Sequence, residues 1–328
     1  MNLWHIYHDS IPDFLTQAAQ APAVQRLKGI GMNCGCEYTQ FPEFVHCRPY
    51  SRFDHSTGVA LIVWHFTKDK AQALSGLLHD VSTPVFAHVI DFANGDHMTQ
   101  ESTEELTQEL IRKDPVLLDI LRINGLSVSE VEDYHLYPIA DNHAPMLCAD
   151  RLEYTLGNAV NFGILNEETV CVLYNDLMAG LNECGYPELI FKTPEKALVF
   201  AETALKCSHI YVCDADRYAM QILSEIIVDA VKIGTLCDED LYTTETEVIQ
   251  KIIRSPFYHR WKAFCVMSQT ERSTIPTNKN VWRHIRAKKR YIDPYIFEKG
   301  RVSDLYTNFH KALIDFLSES QDQWICGR

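Results

Sequence analysis

Residues 77–92 read Leu77-Leu78-His79-Asp80-Val81-Ser82-Thr83-Pro84-Val85-Phe86-Ala87-His88-Val89-Ile90-Asp91-Phe92. Two polar groupings, His79-Asp80 and His88 with Asp91, interrupt a run that is otherwise apolar enough to be buried. An imidazole or a carboxylate is costly to bury without a partner. What those partners are decides how the chain is read.

On either side, segments 57–78, 102–123, 146–164, 167–184, 195–207 and 214–233 carry apolar residues at helical intervals, while alternating stretches are few and short. The period predicts an all-α fold, mainly helical with minor short β elements. Ser102 and Glu105 form an S-x-x-E capping box, and Asn124-Gly125 reads as the stop of the helix it opens. Residues 31–53 read as an irregular or hairpin-forming loop, and 254–280, with Pro256 and Pro276, separates the helical bulk from a basic C-terminal section. The expected organisation is a core over 1–165 and a helical region over 166–328, carrying a basic segment at 279–301 and packed on that core.

A chain of 328 residues with 46% hydrophobic content can bury a sizeable core. Its 30 basic and 44 acidic residues give a net charge of −14, which argues against general nucleic-acid or anionic-membrane binding. MNLWHIYHDSIPDF at the start does not read as a secretion signal, and no apolar run approaches the roughly 20 residues of a membrane helix. The 11 cysteines are scattered, with Cys34-Gly35-Cys36 the one close pair and no further zinc ligands at recognisable spacing. A reduced, cytoplasmic protein is expected.

Four pieces converge in their chemistry: Arg52-Phe53-Asp54-His55 opening a helix, His79-Asp80 closing the next, His88 and Asp91 beyond it, and Ala149-Asp150-Arg151 before another. Two His and two Asp make a mixed nitrogen and oxygen donor set that suits Mn, Fe, Ni, Co, Zn or Mg. Singly, each has an ordinary role: His55 on the surface, His79 at a helix C-terminus, Asp150 as an N-cap. A second Ala-Asp-Arg occurs at 215–217; it is followed by YAMQIL, and Asp216 reads as a capping residue.

With RFDHSTGVA, then SGLLHDVSTPVFAH, then ADRLEYTLGNA in that order, the chain resembles the HD superfamily of metal-dependent phosphohydrolases. The branch it looks most like is the deoxynucleoside triphosphate triphosphohydrolases. RLKGIG at 26–31, KKRYIDP and GRVSDLY add to the likeness, which is strong over 26–165 and patchy beyond. The resemblance implies one divalent metal on His55, His79, Asp80 and Asp150. It also implies substrate contacts from Tyr154 and the Asn158 position, and an acid catalyst at His88, with His97 as a further candidate. The chain departs from the branch at Thr83, where a second histidine is usual, at Gly29, where a glutamine reads the sugar, and at Asn158, where the sugar contact is an Asp.

From chemistry alone, Arg52 suits a phosphate clamp, since a guanidinium donates two parallel hydrogen bonds, and Arg151 could complete the cradle. His88 and Asp91 stand three apart, so the carboxylate can hold the imidazole on one helical face. RHIRAKKR at 283–290 reads as a solvated face or as an anion site for a polyphosphate, and the resemblance implies a regulatory nucleotide at a subunit interface there. The expected activity is metal-dependent hydrolysis of a nucleotide or deoxynucleotide phosphoester. The alternatives are a phosphomonoesterase, a cyclic-nucleotide phosphodiesterase and a nucleotide sensor without turnover. The expected partner is a small phosphoester, and a homo-oligomer is compatible with it.

Overall fold

The computed structural model describes residues 2–90, 106–276 and 281–328. Asp91, His97, Ser102 and Glu105 lie outside them. The chain is mainly helical, with seven short strands in two small sheets among the described residues. All-α is therefore an approximation.

The Arg52–Thr67 helix starts on a capping box in which the Ser51 side chain accepts from Asp54 N and the Asp54 carboxylate accepts from Ser51 N. Residues 55–63 are all buried, so this helix is enclosed on every side rather than amphipathic. Lys68, at φ 54°, ends it, and Asp69 caps Lys70–Leu78 by accepting from Gln72 N. The helical period over 57–78 thus covers two helices. A Cβ on Gly76 would lie 3.2 Å from Val59 Cγ1, which shows how closely the pair packs. The Ala149–Asn161 helix packs across Arg52–Thr67, with Leu152 and Leu156 in the core and Gly58 facing Glu153.

Other expected segments are also divided. Asp114 ends Thr107–Lys113 and caps Pro115–Ile123, because the proline can begin a helix but not continue one. The segment 167–184 holds the Glu167–Tyr174 helix and then a strand, Leu177–Leu181, paired antiparallel with Pro187–Phe191. The long helices Pro194–Ile210 and Asp214–Lys232 follow. A second sheet joins Thr270–Ser273, Trp324–Gly327 and Arg283–His284, so part of the basic segment is a strand.

Two cores result. One gathers Leu61, Leu74, Leu152, Phe200 and Phe316; the other gathers Phe86, Leu223, Ile227, Trp261 and Ile325 around Asp214–Lys232. Each takes side chains from both sides of residue 165. No described helix is long and apolar enough to cross a membrane.

Candidate metal centre

His55 sits one turn into Arg52–Thr67, His79 directly follows Lys70–Leu78, and Asp150 is in the first turn of Ala149–Asn161. Ligand atoms of His55, His79 and Asp80 all lie within 4.8 Å of one another. His55 Nε2 is 4.0 Å from Asp80 Oδ2 and 3.0 Å from Asp150 Oδ1; His79 Nε2 is 3.5 Å and 3.9 Å from the same atoms. All four residues named from the sequence as ligands therefore meet at one place.

The far side of each ring is already committed. His55 Nδ1 is 2.6 Å from Glu153 Oε2, and His79 Nδ1 is 2.8 Å from the carbonyl of Gly76. Such bonds fix the tautomer that leaves Nε2 to a metal. Glu153 also accepts from the Tyr50 hydroxyl and is almost wholly buried. Its role was not read from the sequence; the available signal is its spacing of three from Asp150, matched by Gly58 three after His55.

Electrostatics also fit a cation. Burial pulls the His55 imidazole down, but Asp150 and Glu153 outweigh it and raise the group to about 10. Burial pushes Asp80 up, and Arg52, His79 and His55 more than reverse this, holding the carboxyl well below the usual range. Asp150, despite its burial, is brought down to about 2 chiefly by His55. The carboxylates thus stay ionised where two ring nitrogens face them, and a donor set of this composition fits a divalent metal.

The cluster opens on a cavity of about 850 Å³. Arg52, Arg151, Tyr154, Asn158 and His88 all line it. The two arginines differ from simple clamps. Arg52 Nη1 lies 3.2 Å from both oxygens of Asp80, and Arg151 reaches Asp141 and the carbonyls of Asn142 and Met146, tying the 141–146 loop to the helix. Thr83 Oγ1 donates to Asp80 Oδ1 at 2.7 Å.

The basic segment divides in two. Arg283 pairs with Glu225, Arg286 with Asp322, and Lys289 caps carbonyls at the end of the Thr307–Ser318 helix, although its side chain also reaches the cavity. Lys288 and Arg290 line the cavity too, which brings the C-terminal section to the metal cluster. Asp216 does not cap its helix, contrary to expectation. The Cys213 side chain accepts from Asp216 N instead, and the Asp216 carboxyl is buried at the cavity wall. A further pair was missed altogether: His135 Nδ1 stands 2.7 Å from Asp141 Oδ2, beside Tyr134, whose ring stacks on His79 with centroids 4.8 Å apart. It lies in an irregular segment, where no periodicity marks it.

No protein-family model matches the chain. It is 26% identical to the uncharacterized protein YdhJ of Bacillus subtilis over 290 residues, which are 88% of this chain and 85% of that one. It is 27% identical to the metal-dependent phosphohydrolase cns2 of Cordyceps militaris over 297 residues, 87% of this chain and 81% of the relative. The crystal structure of a phosphohydrolase from Bacteroides thetaiotaomicron matches with a TM-score of 0.66 over 97% of this chain and 96% of its own, at 14% identity. That likeness is one of fold.

Proposed function

We propose that the chain is an HD-type metal-dependent phosphohydrolase that cleaves a nucleotide phosphoester. The observation that carries this is the convergence of His55, His79, Asp80 and Asp150 on the wall of a cavity that also holds Arg52, Lys288 and Arg290. The name of the Cordyceps militaris relative agrees with it.

His55, His79, Asp80 and Asp150 would hold the metal, which when bound acidifies water and screens phosphate charge. Arg52 keeps Asp80 ionised, and its buried Nε has no hydrogen-bond partner among the described residues, leaving a donor for a phosphate oxygen. Lys288 and Arg290 add positive charge to the cavity lining. His88 gives the proton to the leaving oxygen. The cavity volume suits a small molecule.

The triphosphohydrolase branch fits less well. A Cβ at Gly29 would lie 2.6 Å from Thr244 Cγ2, so the branch's sugar-reading glutamine has no room there. Release of orthophosphate from a nucleotide is accordingly favoured over release of triphosphate.

The test is a hydrolysis screen of metal-stripped protein reloaded with single divalent ions. It covers ribonucleotides, deoxynucleotides, cyclic nucleotides and small phosphoesters, with product identification. Orthophosphate from a nucleotide is expected. Triphosphate would return the chain to the triphosphohydrolase branch, and a ring-opened monophosphate would make it a cyclic phosphodiesterase. Tight binding without any product would make it a sensor.

A further inference from the structure

The cavity also has an aromatic wall. The rings of Tyr154 and Tyr211, Tyr211 and Phe162, and Phe162 and Phe44 follow one another with centroids 6.3 Å apart at each step. All four residues line the cavity. Two polar side chains stand with them, Asn158 at 4% exposure and Asp216 at 8%. Asn158 Nδ2 donates to the Tyr211 hydroxyl at 2.8 Å, and Asp216 Oδ1 accepts from the Cys36 thiol at 3.8 Å. Asn158 Oδ1 and Asp216 Oδ2 have no hydrogen-bond partner among the described residues.

A buried polar atom without a partner is destabilising. Two such atoms beside an aromatic wall in one ligand-sized cavity call for a ligand that is flat, aromatic and polar at its edge. Arg290 lines the same cavity and acts electrostatically on Tyr154, Tyr211 and Asp216.

We propose that Asn158 and Asp216 read the hydrogen-bonding edge of a nucleobase stacked on this wall, so that the leaving group is a nucleoside and Asp216 favours a nucleotide over a base-free sugar phosphate. The inference rests on the phosphohydrolase reading and names its substrate class. Burial pushes Asp216 up to about 8, against the pull of Cys36, Arg217 and Arg290, so near neutral pH its carboxyl carries a proton and donates. Asn158 Oδ1 accepts. Between them the two side chains offer a donor and an acceptor, the kinds of group that every nucleobase presents on its pairing edge, whereas a sugar phosphate has no aromatic ring to stack and no such edge.

The test uses the metal-loaded full chain with nucleoside monophosphates and ribose 5-phosphate, in the wild type and in Asp216→Asn and Asp216→Leu. Asparagine keeps a donor and leucine does not. Asp216→Leu should lower the nucleotide-to-ribose 5-phosphate ratio of kcat/KM by about 10–100-fold, the scale of one unpaired buried group. Asp216→Asn should hold that ratio within about threefold. Should the leucine variant fail to fold, a nucleotide methylated on its pairing edge tests the wild type directly, with a loss of similar size expected.

Equal losses on both substrates, no loss, or an asparagine variant as impaired as leucine would overturn the inference. Calorimetric binding of the same nucleotides separates the two readings. Binding without turnover that weakens in Asp216→Leu keeps the base pocket and sinks the hydrolase. Hydrolysis indifferent to Asp216 does the reverse. Neither binding nor hydrolysis of any nucleotide sinks the pocket.

Discussion

Gly58→Ala should damage the metal centre without touching a ligand. The added Cβ would lie 2.6 Å from both Cγ and Oε1 of Glu153 and 2.8 Å from its Cδ. Carbon atoms in contact rest about 3.5–4.0 Å apart, so one group must give by about 1 Å. Glu153 has nowhere to go, being 1% exposed and held between the Tyr50 hydroxyl and His55 Nδ1. Overpacking of this kind costs about 1–3 kcal/mol. Losing the carboxylate that orients a metal-bound histidine weakens metal affinity by about 10–100-fold. Calorimetric melting of metal-free protein measures the first quantity, and competition with a chelator the second. Glu153→Asp in the Gly58→Ala background withdraws the carboxylate by one methylene, so stability should partly return while metal affinity stays low. A Gly58→Ala variant with wild-type melting and wild-type metal affinity would refute the claim that Glu153 orients His55 through a glycine-sized gap.

His88→Ala should lower kcat on a nucleotide by about 10²–10⁴-fold and far less on a nitrophenyl ester, whose leaving oxygen needs no proton. If that leaving-group dependence appears in His135→Ala instead, proton delivery belongs to the His135–Asp141 pair. The Arg301 guanidinium grips both oxygens of the fully buried Glu188 at 2.8 and 2.9 Å, so Arg301→Met should cost about 3–5 kcal/mol in urea unfolding. A loss below about 1 kcal/mol would show the pair to be dispensable. Asp216, facing Cys34, Cys36, Cys213, Arg217 and Arg290, holds its proton to about 8 when folded but only to about 4 when unfolded. Its contribution to stability is therefore complete at low pH and is lost as pH rises from about 4 through about 8. The melting advantage of Asp216→Asn should widen across that window, and melting curves that stay parallel from acid to alkaline pH would remove the burial argument.

The convergence of His55, His79, Asp80 and Asp150 was legible because they sit where helices begin or end, in the order His, His-Asp, Asp. The Glu153 contact with His55 was not, since Glu153 reads as one more residue on a helix until Gly58 is seen to make room for it. Helical periods also ran through real boundaries. Lys68 carries no breaker signature, yet its left-handed backbone divides 57–78, and the strand Leu177–Leu181 is decided by its partner Pro187–Phe191 rather than by its own pattern. The charges of 283–290 are neighbours in sequence but find Glu225, Asp322 and the end of a distant helix in the fold. Asp216 was misread because Cys213, a weak capping residue by type, takes the cap and leaves the carboxyl to the cavity.

If His55, His79, Asp80 and Asp150 hold a metal on which phosphoester hydrolysis depends, metal and activity must be lost together. Elemental analysis and orthophosphate release, measured on the same preparations of wild type and Asp80→Asn, test this, since asparagine keeps an acceptor for Arg52 and Thr83 but loses the charge. About one divalent ion per wild-type chain is expected, with loss of both metal and turnover in a variant that still folds. Full metal occupancy in Asp80→Asn, or undiminished phosphate release from it, would remove Asp80 from the metal site.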